Sequence, residues 1–387
     1  MTYPDPGPEW TLLERVAGAE SGSDEDAAAA AELTRDDIDA DELVTQAIRH
    51  TLAPALADFL IRHDLLGRLD PCVRVNIMGA LQWNRHRTRA FAREALQVVE
   101  ALTDAGVQAA GTKGIVCQAL LYDSRGTRYF NDVDLMISPT DAATTTEVMR
   151  ALGYTNEKRY DLQRDELVAV PRDVHLVYQL YPDHLEPFFR VTGDTADPVY
   201  KFDFSFSLTW YRSHWQIPMD EILRERDRVA VLPPTDGTLP TLTVPYGFLF
   251  LVLHLFRDAW FYSAILDKDV RLSQVADVAR FWRRLGRSQA AAITALVRRY
   301  DLGPVIAWVT HHVDAVFGTT MVADLELDAY ADPRWLRSAS GPDGSFLEWD
   351  GDMSRRLWRK GPPELVSAAE PPFGADARSV QEAAISG

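Results

Sequence analysis

The chain has only two cysteines in 387 residues, Cys72 and Cys117, and they form neither a C-x-x-C pair nor a multi-cysteine framework. That scarcity excludes a disulfide-stapled scaffold, and reduced thiols in a cytoplasmic protein account for both residues. Long hydrophobic runs are also missing. The longest, "VPYGFLFLVLHLF", is too short to span a membrane and is interrupted by His254, so it reads as a buried helix. The opening "MTYPDPGPEW" has no basic segment followed by an apolar one, so a secretory leader is not expected. Positive charge is in deficit, with 40 Lys and Arg against 57 Asp and Glu and a formal net charge of −17. Gripping long nucleic acid requires neutralising its phosphates, so nucleic acid is an unlikely partner. A nucleotide substrate remains compatible, because bound metal can offset its charge. No internal repeat, G-x-S-x-G, H-E-x-x-H or Walker-type sequence is present.

What is there is a 47% hydrophobic composition, enough for a large core. Residues 1–40 read as an acidic Ser-, Gly- and Ala-containing arm, expected to be disordered and weakly packed. Residues 41–105 read as a helical region broken near Pro54, where Phe91, Ala95, Val98, Val99 and Leu102 share one face of the last helix. Residues 106–215 read as an αβ core. In it "VQAAGTKG" is a short strand ending in a Gly-rich turn and "IVCQALLYD" a helix, followed by "TRYFNDVDLMIS" as a strand and "PTDAATTTEVMRALGY" as a helix. "DVHLVYQLY" and "VYKFDFSFSLTW" alternate like two further strands. Residues 216–320 read as a second helical region and 321–387 as an irregular tail. The fold class expected is α+β, a small mixed sheet with helices before and after it.

Within that core, "RYFNDVDLMI" sets Asp132 and Asp134 two residues apart in an apolar strand. Aspartate is a poor strand former, and this spacing puts both side chains on one face. Two such carboxylates need no chemistry if they lie on a solvent edge. On a deliberately acidic face they repel unless a cation compensates, and hard oxygen ligands suit Mg²⁺. A third acid, Asp203, sits between Phe202 and Phe204, with Lys201 and Ser205 as its same-face neighbours. A carboxylate from a neighbouring strand would complete a cluster of the kind two-metal phosphoryl chemistry uses. The turn Gly111-Thr112-Lys113-Gly114 precedes a helix, and a helix N-terminus favours a phosphate.

Other features read as structural. The basic stretches "NRHRTR", "FWRRLGR" and "RRLWRK" are taken as solvated helix faces. His311 and His312 are adjacent on a helix and cannot face each other, and His254 lies in an apolar helix. His175 is placed on a strand near Asp203. Trp210, Tyr211 and Trp215 follow that strand, where packing competes with stacking on a base.

The order of strand, Gly-rich turn, helix, D-x-D strand and later strand with one Asp resembles the DNA polymerase β-like nucleotidyltransferase superfamily. More narrowly it looks like bacterial nucleotidyltransferase family proteins whose signature reads K-G, a helix, then R-x-x-x-D-[IV]-D-L. Here those residues are Lys113 and Gly114, then Arg128, Asp132, Val133, Asp134 and Leu135. The resemblance implies that Asp132, Asp134 and Asp203 hold two Mg²⁺ ions, with Asp203 serving the ion that activates the acceptor hydroxyl. It implies ATP or another nucleoside triphosphate as substrate, with Gly111, Thr112, Lys113, Gly114 and Arg128 near its phosphates. Arg128 reads equally as a structural partner of the acids. The acceptor would be a small molecule, a peptide or a protein. The chain departs from the pattern in "AAGT" before the K-G pair, in Gly-Thr-Lys-Gly for a Gly-Ser turn, and in Ser205 where relatives often carry His. Those departures keep a second reading open, a catalytically inactive member that binds a nucleotide or a partner.

Overall fold

β1 (Ala110–Thr112), β2 (Val133–Met136), β3 (Lys158–Asp161), β4 (Glu166–Ala169), β5 (Phe188–Val191), β6 (Val199–Ser205), β7 (Arg226–Ala230) and β8 (Thr238–Leu242) all fall in one stretch of the chain. Six of them form a mixed sheet in the order β5-β6-β2-β1-β8-β7, and β3 and β4 form a separate hairpin. The computed structural model describes residues 6–33, 38–180, 183–210, 213–231, 237–267, 269–342, 344–359 and 361–377. The chain divides into two compact units. One comprises Trp83–Tyr211 with Ile217–Gly247 and holds these strands; the other comprises Met1–Gln82, Arg212–Gln216 and Phe248–Gly387. The α+β class expected from the sequence is the class observed.

In the sheet unit the alternation along β6 is decisive. Phe202 and Phe204 are buried, while Lys201, Asp203 and Ser205 are half-buried on the opposite face. β2 runs parallel to β6 with Val133 opposite Phe202, Asp134 opposite Asp203 and Leu135 opposite Phe204. Because side chains alternate with period two, one face of this pair is wholly apolar and the other carries the acids. The apolar face joins a core with Phe91, Ala95, Val98, Val99 and Leu102, the stripe expected on the helix that ends at Asp104. Gly106, just past that end, has φ +82°, a left-handed value that glycine adopts without penalty.

Two expectations for this region need correction. "DVHLVYQLY" is not a strand, because Arg172–Leu180 is a helix. Its alternating pattern was short enough to fit either period. The region after residue 216 is not purely helical either. β7 and β8 return to the sheet, β8 running parallel to β1 with Gly111 opposite Thr241. Pro240 and the short length of "TLPTL" hid that strand.

In the other unit the described part of the acidic N-terminal stretch is helical and packed, against the expectation of a disordered arm. Pro8–Gly18 is a helix that buries Trp10, Leu12, Leu13 and Val16, and Asp24–Leu33 is a second helix. Arg62 grips Asp26 with two hydrogen bonds of 2.5 and 2.9 Å, the bidentate geometry that makes Arg–carboxylate pairs strong. The basic stretches are only partly solvated: Arg89, Arg284 and Arg287 are exposed, whereas Arg87, Arg356 and Arg359 are buried. Arg283 donates to the Gly18 carbonyl at 2.8 Å and Arg284 to Glu20 at 3.0 Å, so "FWRRLGR" closes the C-terminal end of the first helix. Arg356, in "RRLWRK", is fully buried against Asp269 and the Ala259 carbonyl.

Among the described residues the tail beyond residue 320 also carries regular structure. β9 (Ser338–Ser340), β10 (Phe346–Trp349) and β11 (Leu365–Ala368) form an antiparallel sheet, with Trp335 and Trp349 buried. His312 packs on the rings of Trp308 and Trp349 and bonds the Leu336 carbonyl through Nε2 at 2.9 Å. Burial pushes its pKa down to about 3, as suits a neutral core histidine.

Candidate functional site

The local geometry of the site begins with glycine. A Cβ on Gly111 would lie 2.4 Å from Leu239 Cδ2, and one on Gly114 would lie 2.5 Å from Phe130 Cβ. Both glycines are therefore demanded by close packing around β1 and the helix Lys113–Leu121. Thr112 is buried, and its hydroxyl donates to the Asp134 carbonyl at 3.2 Å, so it ties β1 to β2. Lys113 has φ +46°, a left-handed conformation costing a non-glycine residue about 1–2 kcal/mol. Backbone strain of this kind concentrates at functional sites. Here it accompanies an ammonium 2.7 Å from Asp134 Oδ1.

Arg128 is held through both its backbone and its side chain. Its amide donates to Gln118 Oε1 at 2.7 Å, and its guanidinium donates to the Tyr129 carbonyl. Its own carbonyl accepts from Asn84 Nδ2 at 3.2 Å, and Asn84 belongs to the "NRHRTR" stretch read as a solvated face. Its backbone is thus tied to the two helices that carry Gln118 and Asn84, and its side chain to the carbonyl of the next residue.

The three aspartates do come together. Asp134 and Asp203 are direct partners across β2 and β6, and Asp132 precedes β2 by one residue. Lys201 joins them, placing Nζ 2.9 Å from Asp132 Oδ2 and 2.7 Å from Asp203 Oδ2. Two ammonium groups thus face three carboxylates. The electrostatics follow. Burial pushes the Asp134 carboxyl up to about 6, with the charges of Asp132 and Asp203 adding and Lys113 opposing. Burial likewise raises Asp203, assisted by Asp132 and resisted by Lys201. Burial also opposes ionisation of Asp132, but there the Lys201 ammonium wins and holds the carboxyl below its ordinary value. Lys201 is itself driven up by the two carboxylates against the cost of its burial. Tyr178, from the helix Arg172–Leu180, has its phenol raised by burial and by the nearby Asp203 charge.

The donor set suits a hard divalent cation, being three carboxylates with one buried oxygen, Asp203 Oδ1, that receives no hydrogen bond. The lysines currently supply the compensating charge. Among the described residues no three His, Cys, Asp or Glu side chains are disposed to enclose a metal ion.

A family model described as "uncharacterised nucleotidyltransferase" matches residues 36–318, which is most of the chain and contains the sheet and all three aspartates. The chain belongs to this nucleotidyltransferase family. Comparison with curated proteins finds no match. Family membership makes nucleotidyl transfer the general activity and a nucleotide the substrate class. Among the described residues no helix is long and apolar enough to cross a membrane.

For this nucleotidyltransferase the sequence motif located the acids but not every residue that meets them. Lys201 was visible only as a same-face neighbour of Asp203, two positions away on an alternating strand, and that spacing was the available signal. Tyr178 gave none, because its segment was read as a strand. His175 lies on the helix instead and pairs with Glu186 at 2.6 Å. Trp210 and Trp215 are buried, so packing explains them, and Tyr211 falls outside the described residues.

Proposed function

We propose that the chain is a divalent-metal-dependent nucleotidyltransferase. It would move a nucleoside monophosphate, AMP from ATP, to an acceptor hydroxyl or phosphate on a small molecule, peptide or protein. The observation that carries this reading is the pairing of Asp134 with Asp203 across two parallel strands, with Asp132 at the mouth of the first. In the reaction the acceptor oxygen bonds to the α-phosphorus and the bond from that phosphorus to its β-bridging oxygen breaks. Pyrophosphate leaves with the electron pair, and the acceptor proton passes to a base at the centre. Asp132, Asp134 and Asp203 would hold two Mg²⁺ ions, which when bound would neutralise the triphosphate and the charge that develops on it. The turn Gly111–Gly114 and the helix start behind it favour a phosphate, and Lys113 lies in that turn at the end of β1. The superfamily assignment, to the DNA polymerase β-like nucleotidyltransferases, and a cytoplasmic location belong to the same proposal.

The test is incubation with each labelled nucleoside triphosphate, Mg²⁺ and a cell extract. Label from the α-position of ATP should reach an acceptor, and Asp132→Asn should abolish the transfer. Titration calorimetry supplies the binding arm. ATP binding that is indifferent both to Mg²⁺ and to Asp134→Ala would remove the basis for the reading.

A second reading is favoured by the Lys201 bridge, which occupies the space between Asp132 and Asp203. It is a nucleotidyltransferase-fold protein that binds a nucleotide or a partner without chemistry. In that case ATP binds, no divalent ion binds with it, and no label moves.

A further inference from the structure

We propose that Lys201 is an exchangeable internal cation, holding the acidic centre assembled without metal and giving up its place when a metal–nucleotide complex arrives. The inference rests on the nucleotidyltransferase reading of the site and deepens it.

The geometry carries the argument. The Lys201 ammonium bridges Asp132 Oδ2 and Asp203 Oδ2 at 2.9 and 2.7 Å, the two carboxylates that would otherwise repel most directly. A bridging charge between two acids is the position a divalent ion would take. Lys201 also shares its strand face with Asp203, so no backbone change is needed to bring it there or to take it away. Its side chain is 25% exposed, and a flexible four-carbon stem ends in a compact, rotatable charge. The second ammonium differs, because Lys113 is fixed by a left-handed backbone at the head of a helix. Asp203 Oδ1, which receives no hydrogen bond, marks the coordination capacity that the lysine leaves unused.

Exchange of this kind has a consequence for order of binding. Metal alone must displace the ammonium from two carboxylates and leave it only water in exchange. Metal arriving with a triphosphate offers the displaced ammonium a phosphate oxygen instead. The centre would then be selective for the complex over the free ion, and Lys201 would be a positioning residue for the acids before substrate and a phosphate contact after it.

The test uses Mn²⁺ alone, followed by electron paramagnetic resonance and calorimetry on the full chain. Lys201→Met should bind Mn²⁺ tighter than the unaltered protein by about tenfold or more, and Lys201→Arg, which keeps the charge, should show no gain. Adding Asp203→Asn to Lys201→Met should erase the gain. Equal Mn²⁺ affinity in the unaltered protein and Lys201→Met overturns the proposal. Should Lys201→Met fold only poorly, because two carboxylates lose their partner, recovery of its thermal transition by Mn²⁺ supports exchange and lack of recovery overturns it. The outcomes separate from those for the activity. Label transfer by the unaltered protein without a metal gain in Lys201→Met rejects the exchange alone, whereas a metal gain in Lys201→Met with no label transfer by the unaltered protein rejects the activity alone.

Discussion

Asp134 and Asp203 are register partners across β2 and β6, the first contacted by the Lys113 ammonium from the helix after β1 and the second by Lys201 of β6 itself. Their neighbours in register, Val133 with Phe202 and Leu135 with Phe204, point into the core. The acidic pair is therefore fixed by the same alternation that fixes the hydrophobic face. Replacing one carboxylate should damage chemistry and leave the fold intact. For Asp203→Asn we expect nucleotidyl transfer to fall by about 10²–10³-fold, with an unchanged circular dichroism spectrum. Wild-type transfer rates in this variant would count against the role of Asp203.

Lys113 is the charge that restrains Asp134. Its attraction lowers the Asp134 carboxyl, which burial has pushed up to about 6. In Lys113→Ala the restraint disappears, so the carboxyl should titrate at still higher pH. Carboxyl-selective NMR or infrared titration reads this directly. A downward movement would contradict the arrangement.

Gly111→Ala tests whether the glycine serves packing. The added methyl meets Leu239 Cδ2 at 2.4 Å, where β1 is enclosed between β2 and β8. Overpacking of this kind costs about 1–3 kcal/mol. Gly67→Ala, where nothing lies within 4 Å, is the control and should stay near neutral. Denaturant midpoints for the two variants should separate accordingly.

Trp10 tests the N-terminal helix. It is 1% exposed and its indole N–H donates to Glu14 at 2.7 Å and to Ser354 at 2.8 Å. Trp10→Ala should destabilise by about 3–5 kcal/mol, seen as a lower thermal midpoint. A merely tethered arm would show no such loss.

Glu14 should leave a pH signature on stability. Burial pushes its carboxyl up to about 7, against the hydrogen bonds from Ser354 and Trp10 and with Asp352 adding slightly. In the native state the group holds its proton to about pH 7, and in the unfolded state only to the ordinary glutamate value of 4.5. The native state binds more protons between those values, so this contribution is complete below the unfolded value and is lost as pH rises towards 7. Glu14→Gln should flatten that part of the stability profile. A slope that survives the substitution assigns it to another group.

Local pattern made the central strand pair legible. Phe202-Asp203-Phe204 and Val133-Asp134-Leu135 each carry a period-two signal, and the aspartates stand out because they break the expected composition of a strand without breaking its alternation. The stripe from Phe91 to Leu102 was equally plain, since a long helix accumulates phase over several turns. Short segments had no such redundancy. "DVHLVYQLY" fits both periods within its length and became a helix, and "TLPTL" became a strand despite its proline.

By itself, then, the sequence determined which residues share a face and which chemistry that face carries: three carboxylates behind a lysine-bearing Gly-rich turn. Only the tertiary structure decided what those groups touch. It placed the Lys201 ammonium between Asp132 and Asp203, set Leu239 against Gly111, and packed the acidic N-terminal helix into a core reached by Arg62, Arg280 and Arg283. The reason is physical. Periodicity is a property of neighbours along the chain, whereas the partner of a charge or the wall beside a glycine comes from segments that meet only when the chain folds.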